Sequence, residues 1–192
     1  GASLWAWHHE ARQAASQADA EFDQYALTVV SELDGRRRVL VPLCGKAFDL
    51  RYLAERGHEV VGIEFMREAV EAFFVEQEIV ASPVTVGPYE GLTGGGITLL
   101  VGDFFLATKE ALGPFDALYD RAALVALDPS TREAYAARCL ELCEPDARLL
   151  LITFVYDQAR LDGPPFSVDE DVVHALYGAD VCTKLEERRE VP

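Results

Sequence analysis

Apolar residues along the chain alternate between short continuous runs and longer stretches with helical spacing. Residues 39–43 (VLVPL) are the first continuous run, and they predict a strand buried on both faces. Residues 47–56 (AFDLRYLAER) carry apolar side chains at 47, 50, 53 and 54, one stripe of a helix closed by Gly57. Residues 58–64 predict a second strand and residues 67–79 a second helix. Further strands are expected at 97–103, 115–120 and 147–157, with helices at 130–142 and 168–177. Ahead of these, residues 9–33 read as a helix ending near Asp34 and Gly35. The stretch 82–96 is rich in Pro and Gly and is expected to be a loop.

Strands that alternate with helices predict an α/β fold, a doubly wound, mostly parallel sheet with helices on both faces. No interior break in composition divides the 192 residues, so residues 1–192 are expected to form one domain, with residues 1–34 as an N-terminal helical cap. Half of the residues are hydrophobic, which suits a packed core rather than a disordered chain. The longest apolar runs, such as 149–155, are too short to cross a bilayer. No basic-then-apolar leader opens the sequence, so export is not expected.

Acidic residues outnumber basic ones 33 to 17, giving a net charge of −16. Such a field repels phosphate backbones and anionic lipid, so neither nucleic acid nor membrane is an expected partner. Cys44, Cys139, Cys143 and Cys182 lack a disulfide-dense or metal-binding spacing. A cytoplasmic home and no metal are the expectation.

In sheets of this kind ligands bind beyond the carboxyl ends of the strands. Gly45 follows the first strand and would let backbone approach a ligand. The turn is not a phosphate-binding loop, because Leu40 stands where its first glycine would be and Ala47 follows Lys46. Glu64 ends the second strand, where a carboxylate can accept both hydroxyl protons of a ribose. Asp103 ends the third, within reach of an adenine amino group, and Asp120-Arg121 end the fourth. Two acids in this layout fit a nicotinamide dinucleotide or S-adenosylmethionine. A dinucleotide needs three glycines around its pyrophosphate, and Pro42 and Ala47 fill neighbouring places here. The shortage favours S-adenosylmethionine.

Three segments resemble one known family. "RVLVPLCGKAFDLRYLAERGHEVVGIE" at 38–64, "FDALYDRAALVALDP" at 115–129 and "YDQARLDGPPFSV" at 156–168 are similar, in order, to the thiopurine S-methyltransferase family. The resemblance covers roughly residues 36–178 and implies a Rossmann-like class I methyltransferase fold using S-adenosylmethionine. It implies that Leu43 and Gly45 line the methionine part of the cofactor, that Glu64 holds the ribose, and that Asp103 with Phe104 holds the adenine. Arg121 matches the active-site arginine, contacting cofactor and acceptor. Pro165 and Phe166 would form an acceptor wall, and Arg188 a second acceptor-side arginine.

The sequence departs from the family pattern at both ends. Trp5, Trp7, His8 and His9 lie closer together than the family's aromatic cap, and Trp7 is the expected cofactor contact, since an indole over a sulfonium is a cation–π pair. The resemblance also implies a final strand hairpin beyond the patch at 186–188, which leaves the last strand missing. The expected reaction is methyl transfer to a small-molecule sulfur, thiol or thiopurine-like. Halide, thiocyanate, selenium or tellurium acceptors and a non-catalytic cofactor-binding scaffold stay as alternatives, and monomer against homodimer stays open.

Overall fold

The computed structural model describes residues 30–185 and 187. Seven strands form a single sheet in the order β3-β4-β5-β2-β1-β6-β7. They are β1 (Arg38–Pro42), β2 (Glu59–Glu64), β3 (Ser82–Val86), β4 (Tyr89–Gly94), β5 (Ile97–Val101), β6 (Phe115–Arg121) and β7 (Cys143–Ile152). The helices are α1 (Asp49–Glu55), α2 (Arg67–Glu76), α3 (Lys109–Leu112), α4 (Ala123–Ala126), α5 (Arg132–Leu142) and α6 (Glu170–Tyr177).

The five strands β5, β2, β1, β6 and β7 pair in parallel, as the run-and-helix alternation predicts. Because successive side chains point to opposite faces, β1 splits its apolar run between two cores. Val39 and Val41 pack on the face that carries Leu50 and Leu53 of α1 and Phe73 of α2. Leu40 packs on the other face, with Tyr135, Cys139 and Leu142 of α5. Helices on both faces thus follow from apolar residues at consecutive strand positions.

The expected loop at 82–96 is instead an antiparallel hairpin. β3 pairs with β4 and β4 with β5, extending the sheet on the β5 side. The Pro and Gly that read as loop are compatible with strand here for two reasons. Pro83 lies on the outermost strand, where a missing N–H donor is tolerated. Gly91 sits where a Cβ would come within 2.0 Å of the Leu99 carbonyl oxygen, so the ladder needs the glycine. β7 begins at Cys143 rather than 147, pairing with Phe115 across a bulge in the ladder. It forms the other edge of the sheet.

Of the helix expected at 9–33, only residues 30–33 are described, and Val30–Leu33 is a short 3-10 turn whose Val30 and Leu33 are buried. The rest of that helix, with Trp5, Trp7, His8 and His9, lies outside the described residues, as do Glu186 and Arg188.

Candidate functional site

The chain runs from β1 outward to β2 and returns to β6 on β1's other side, so the topological switch lies between β1 and β6. That is where open α/β sheets form a crevice at the carboxyl ends of their strands. The backbone departs from ordinary geometry at both strand ends. Leu43, just past β1, has φ 45°, and Ala122, just past β6, has φ 86°. Non-glycine residues in the left-handed region cost energy and persist where their surroundings hold them.

On the β1 side Glu64 is the holder. Its Oε2 accepts the Gly45 N–H at 2.9 Å and its Oε1 accepts the Met66 N–H at 2.9 Å. The Cys44 N–H donates to the Ile63 carbonyl at 3.2 Å. The turn is therefore braced against the end of β2, and Gly45 keeps its left-handed φ of 53°. Each Glu64 oxygen accepts one backbone N–H and retains capacity for another donor. Cys44 is buried beneath the turn, and burial followed by the neighbouring Glu64 charge pushes its thiol well up, so it is a wall rather than a nucleophile.

Gly62 of β2 makes room for that wall. A Cβ there would lie 2.6 Å from Cys44 Sγ and 2.7 Å from Leu99 Cδ2. Gly62→Ala is expected to cost about 1–3 kcal/mol of stability through overpacking. Combining it with Cys44→Ala should recover part of the loss in urea melts. An unchanged melt for the single variant would contradict this packing.

On the β6 side Asp120 and Arg121 divide the work. Asp120 is 1% exposed. Its Oδ1 accepts the Ala123 and Leu124 N–H groups at 3.0 and 3.2 Å, and its Oδ2 accepts the Tyr135 hydroxyl at 2.7 Å. It thereby fixes the left-handed Ala122 and the start of α4. Burial pushes the Asp120 carboxyl up to about 6, against the opposing effect of those hydrogen bonds. A raised acid stabilises the fold below its unfolded value and loses that contribution as pH rises through the folded value. The rise corresponds to about 3 kcal/mol. The stability of the wild type relative to Asp120→Asn should therefore fall by about that amount between roughly pH 4 and 7. A pH-independent difference in urea melts would refute the assignment.

Arg121 has a side chain 14% exposed and donates from Nη1 to Asp49 Oδ2 at 2.7 Å. The Tyr119 hydroxyl donates to the same oxygen at 3.0 Å. Asp49 is the first residue of α1, so this ion pair joins the segment after β1 to the end of β6 across the switch point. Asp49 is not marked by the sequence pattern. It lies off the helix stripe and 72 residues from its partner, and an acid just after the Cys-Gly-Lys turn was the only available signal.

Asp103 is exposed and caps the turn Phe104–Leu106, accepting the Phe105 N–H at 2.9 Å. Its carbonyl accepts the Tyr89 hydroxyl at 2.8 Å. Phe104, the next residue, is buried, and its ring packs 5.3 Å from the Tyr135 ring. Exposed apolar surface near these strand ends includes Phe65 and Leu106, 71% and 68% exposed. Pro165 and Phe166 are half-buried. The Phe166 N–H donates to the Val125 carbonyl at 2.6 Å, tying this segment to α4, the helix that follows Arg121. Among the described residues no cluster of metal-ligating side chains occurs, and no helix is long and apolar enough to cross a membrane.

A family model described as thiopurine S-methyltransferase matches residues 4–191, nearly the whole chain. The chain belongs to the thiopurine S-methyltransferase family. A thiopurine S-methyltransferase of Pseudomonas fluorescens is 45% identical over 154 residues, 80% of this chain and 70% of the relative. One of Nitrosospira multiformis is 47% identical over 149 residues, 78% and 68% of the two chains. Among solved structures, the N-methyltransferase NodS of Bradyrhizobium japonicum with S-adenosylhomocysteine covers 88% of this chain and 78% of its own, at TM-score 0.66 and 14% identity. The 1,6-didemethyltoxoflavin-N1-methyltransferase of Burkholderia thailandensis, also holding S-adenosylhomocysteine, covers 80% of this chain and 62% of its own, at TM-score 0.57 and 20% identity. At such identities the structures speak for the fold, a Rossmann-like class I arrangement. Family membership makes the chain an S-adenosylmethionine-dependent methyltransferase.

Proposed function

We propose that this chain moves the methyl group of S-adenosylmethionine to the sulfur of a small-molecule thiol or thiopurine-like acceptor. The observation that carries the proposal is the pairing of two held groups at one switch point. Glu64 braces a left-handed turn after β1, and Arg121 is held at the end of the adjacent β6. The naming of the relatives as thiopurine S-methyltransferases supports the sulfur acceptor.

When bound, the cofactor supplies a methyl group already activated on a sulfonium. The protein's part is then to bind, align and exclude water. Glu64 would accept the ribose hydroxyls on the lone pairs that Gly45 and Met66 leave. Leu43 and Gly45 would line the methionine end, and Asp103 with the backbone of Phe104 would meet the adenine. Phe65 would add apolar contact at the same edge. Trp7 would cap the sulfonium. Arg121 would contact the cofactor and stabilise an anionic acceptor, as neighbouring cations stabilise a thiolate. Pro165, Phe166 and Arg188 would shape the acceptor side.

We propose further that residues 1–192 act as one methyltransferase domain, with residues 1–34 as its cap. Four unpaired cysteines suit a reducing cytoplasm. A methyl-transfer screen over thiols, thiopurines, selenite and iodide tests the acceptor. S-methylated product from a thiol or thiopurine is the expected result. Methylation of selenite or iodide alone would overturn the sulfur assignment, and turnover of none would favour a scaffold.

A further inference from the structure

We infer that Asp49 is a positioning residue that sets the orientation of Arg121 in the reacting crevice. The assignment rests on the methyl-transfer function proposed above. Asp49 is 1% exposed, and its Oδ1 has no hydrogen-bond partner among the described residues. Its Oδ2 accepts two donors, Arg121 Nη1 at 2.7 Å and the Tyr119 hydroxyl at 3.0 Å. A half-satisfied buried carboxylate is a poor way to stabilise a fold, because apolar residues of similar volume commonly do as well or better. What an apolar residue cannot do is hold a guanidinium.

The location gives that hold a purpose. Asp49 opens α1, three residues beyond Lys46, and the same connection carries Leu43 and Gly45. The ion pair therefore references Arg121 to the cofactor side of the crevice rather than to its own strand alone. Tyr119, two residues before Arg121 on β6, fixes the carboxylate that fixes the arginine.

Cofactor affinity, turnover and side-chain order separate this role from a merely structural one. Asp49→Asn should still bind S-adenosylmethionine at a stoichiometry near one, with an affinity lowered only by the weakened Arg121 contact, about three- to ten-fold. Its kcat per cofactor-binding site should fall about a hundred-fold, as misplacement of a reacting partner predicts. Tyr119→Phe, which keeps the core volume, should lower kcat about three- to ten-fold, the effect of one lost hydrogen bond. It decides the matter if Asp49→Asn does not fold. Side-chain 15N spectra of the free protein read the orientation without turnover. Separate Arg121 guanidinium signals are expected in the wild type, collapsing to an average in Asp49→Asn or Tyr119→Phe. Unchanged kcat per site in both variants, or unchanged Arg121 signals, would overturn the inference. If the wild type neither binds the cofactor nor turns over, the proposed function fails, while the spectra still decide whether Asp49 orders Arg121.

Discussion

Arg121→Ala is expected to lose stability as well as turnover. Its ion pair with Asp49 is buried, and removing one partner of such a pair typically costs about 3–5 kcal/mol. Among the described residues, Asp49 would keep the Tyr119 hydroxyl on one oxygen and no partner on the other. A fall in activity of this variant would therefore mix two causes. The double variant Arg121→Ala/Asp49→Asn separates them, because it removes the stranded charge. Urea melts should show stability recovered in the double variant while methyl transfer stays lost. If Arg121→Ala melts like the wild type, the pair carries no such energy; if the double variant recovers turnover, Arg121 is not an acceptor-side group.

Glu64→Ala is expected to weaken cofactor binding about a hundred-fold. Two charge-assisted hydrogen bonds to the ribose hydroxyls, at about 1.5 kcal/mol each, amount to that factor. The same change removes the acceptors of the Gly45 and Met66 N–H groups, so the melting temperature should fall too. Glu64→Gln sharpens the comparison. One of its terminal atoms becomes a donor facing a backbone N–H, so it should also bind weakly although it keeps the size of the side chain. Unchanged affinity in Glu64→Ala, measured calorimetrically, would reduce Glu64 to a brace of the turn.

The parallel core was legible in the sequence because its signal is local. A continuous apolar run, a turn and a helical stripe mark β1 and α1, and the same pattern recurs at β2 and α2. The hairpin at 82–94 was hidden because Pro83 and Gly91 are ordinary breakers in sequence. Only an outermost strand and a close approach to the Leu99 carbonyl make them fit a sheet. In the candidate site, Gly45, Glu64 and Arg121 were readable as strand-end residues, and the structure brings all three to the carboxyl edge beside the switch point. Asp49 was not readable, since its meaning depends on a partner 72 residues away.

S-adenosylmethionine is expected to bind at the carboxyl ends of β1 and β6, beside Glu64. Calorimetric titration of the cofactor into the chain tests it most directly. One equivalent should bind per chain, in competition with S-adenosylhomocysteine, and the heat should vanish at the same cofactor concentrations in Glu64→Ala. No binding to the wild type at millimolar cofactor, or binding that Glu64→Ala leaves untouched, would contradict it.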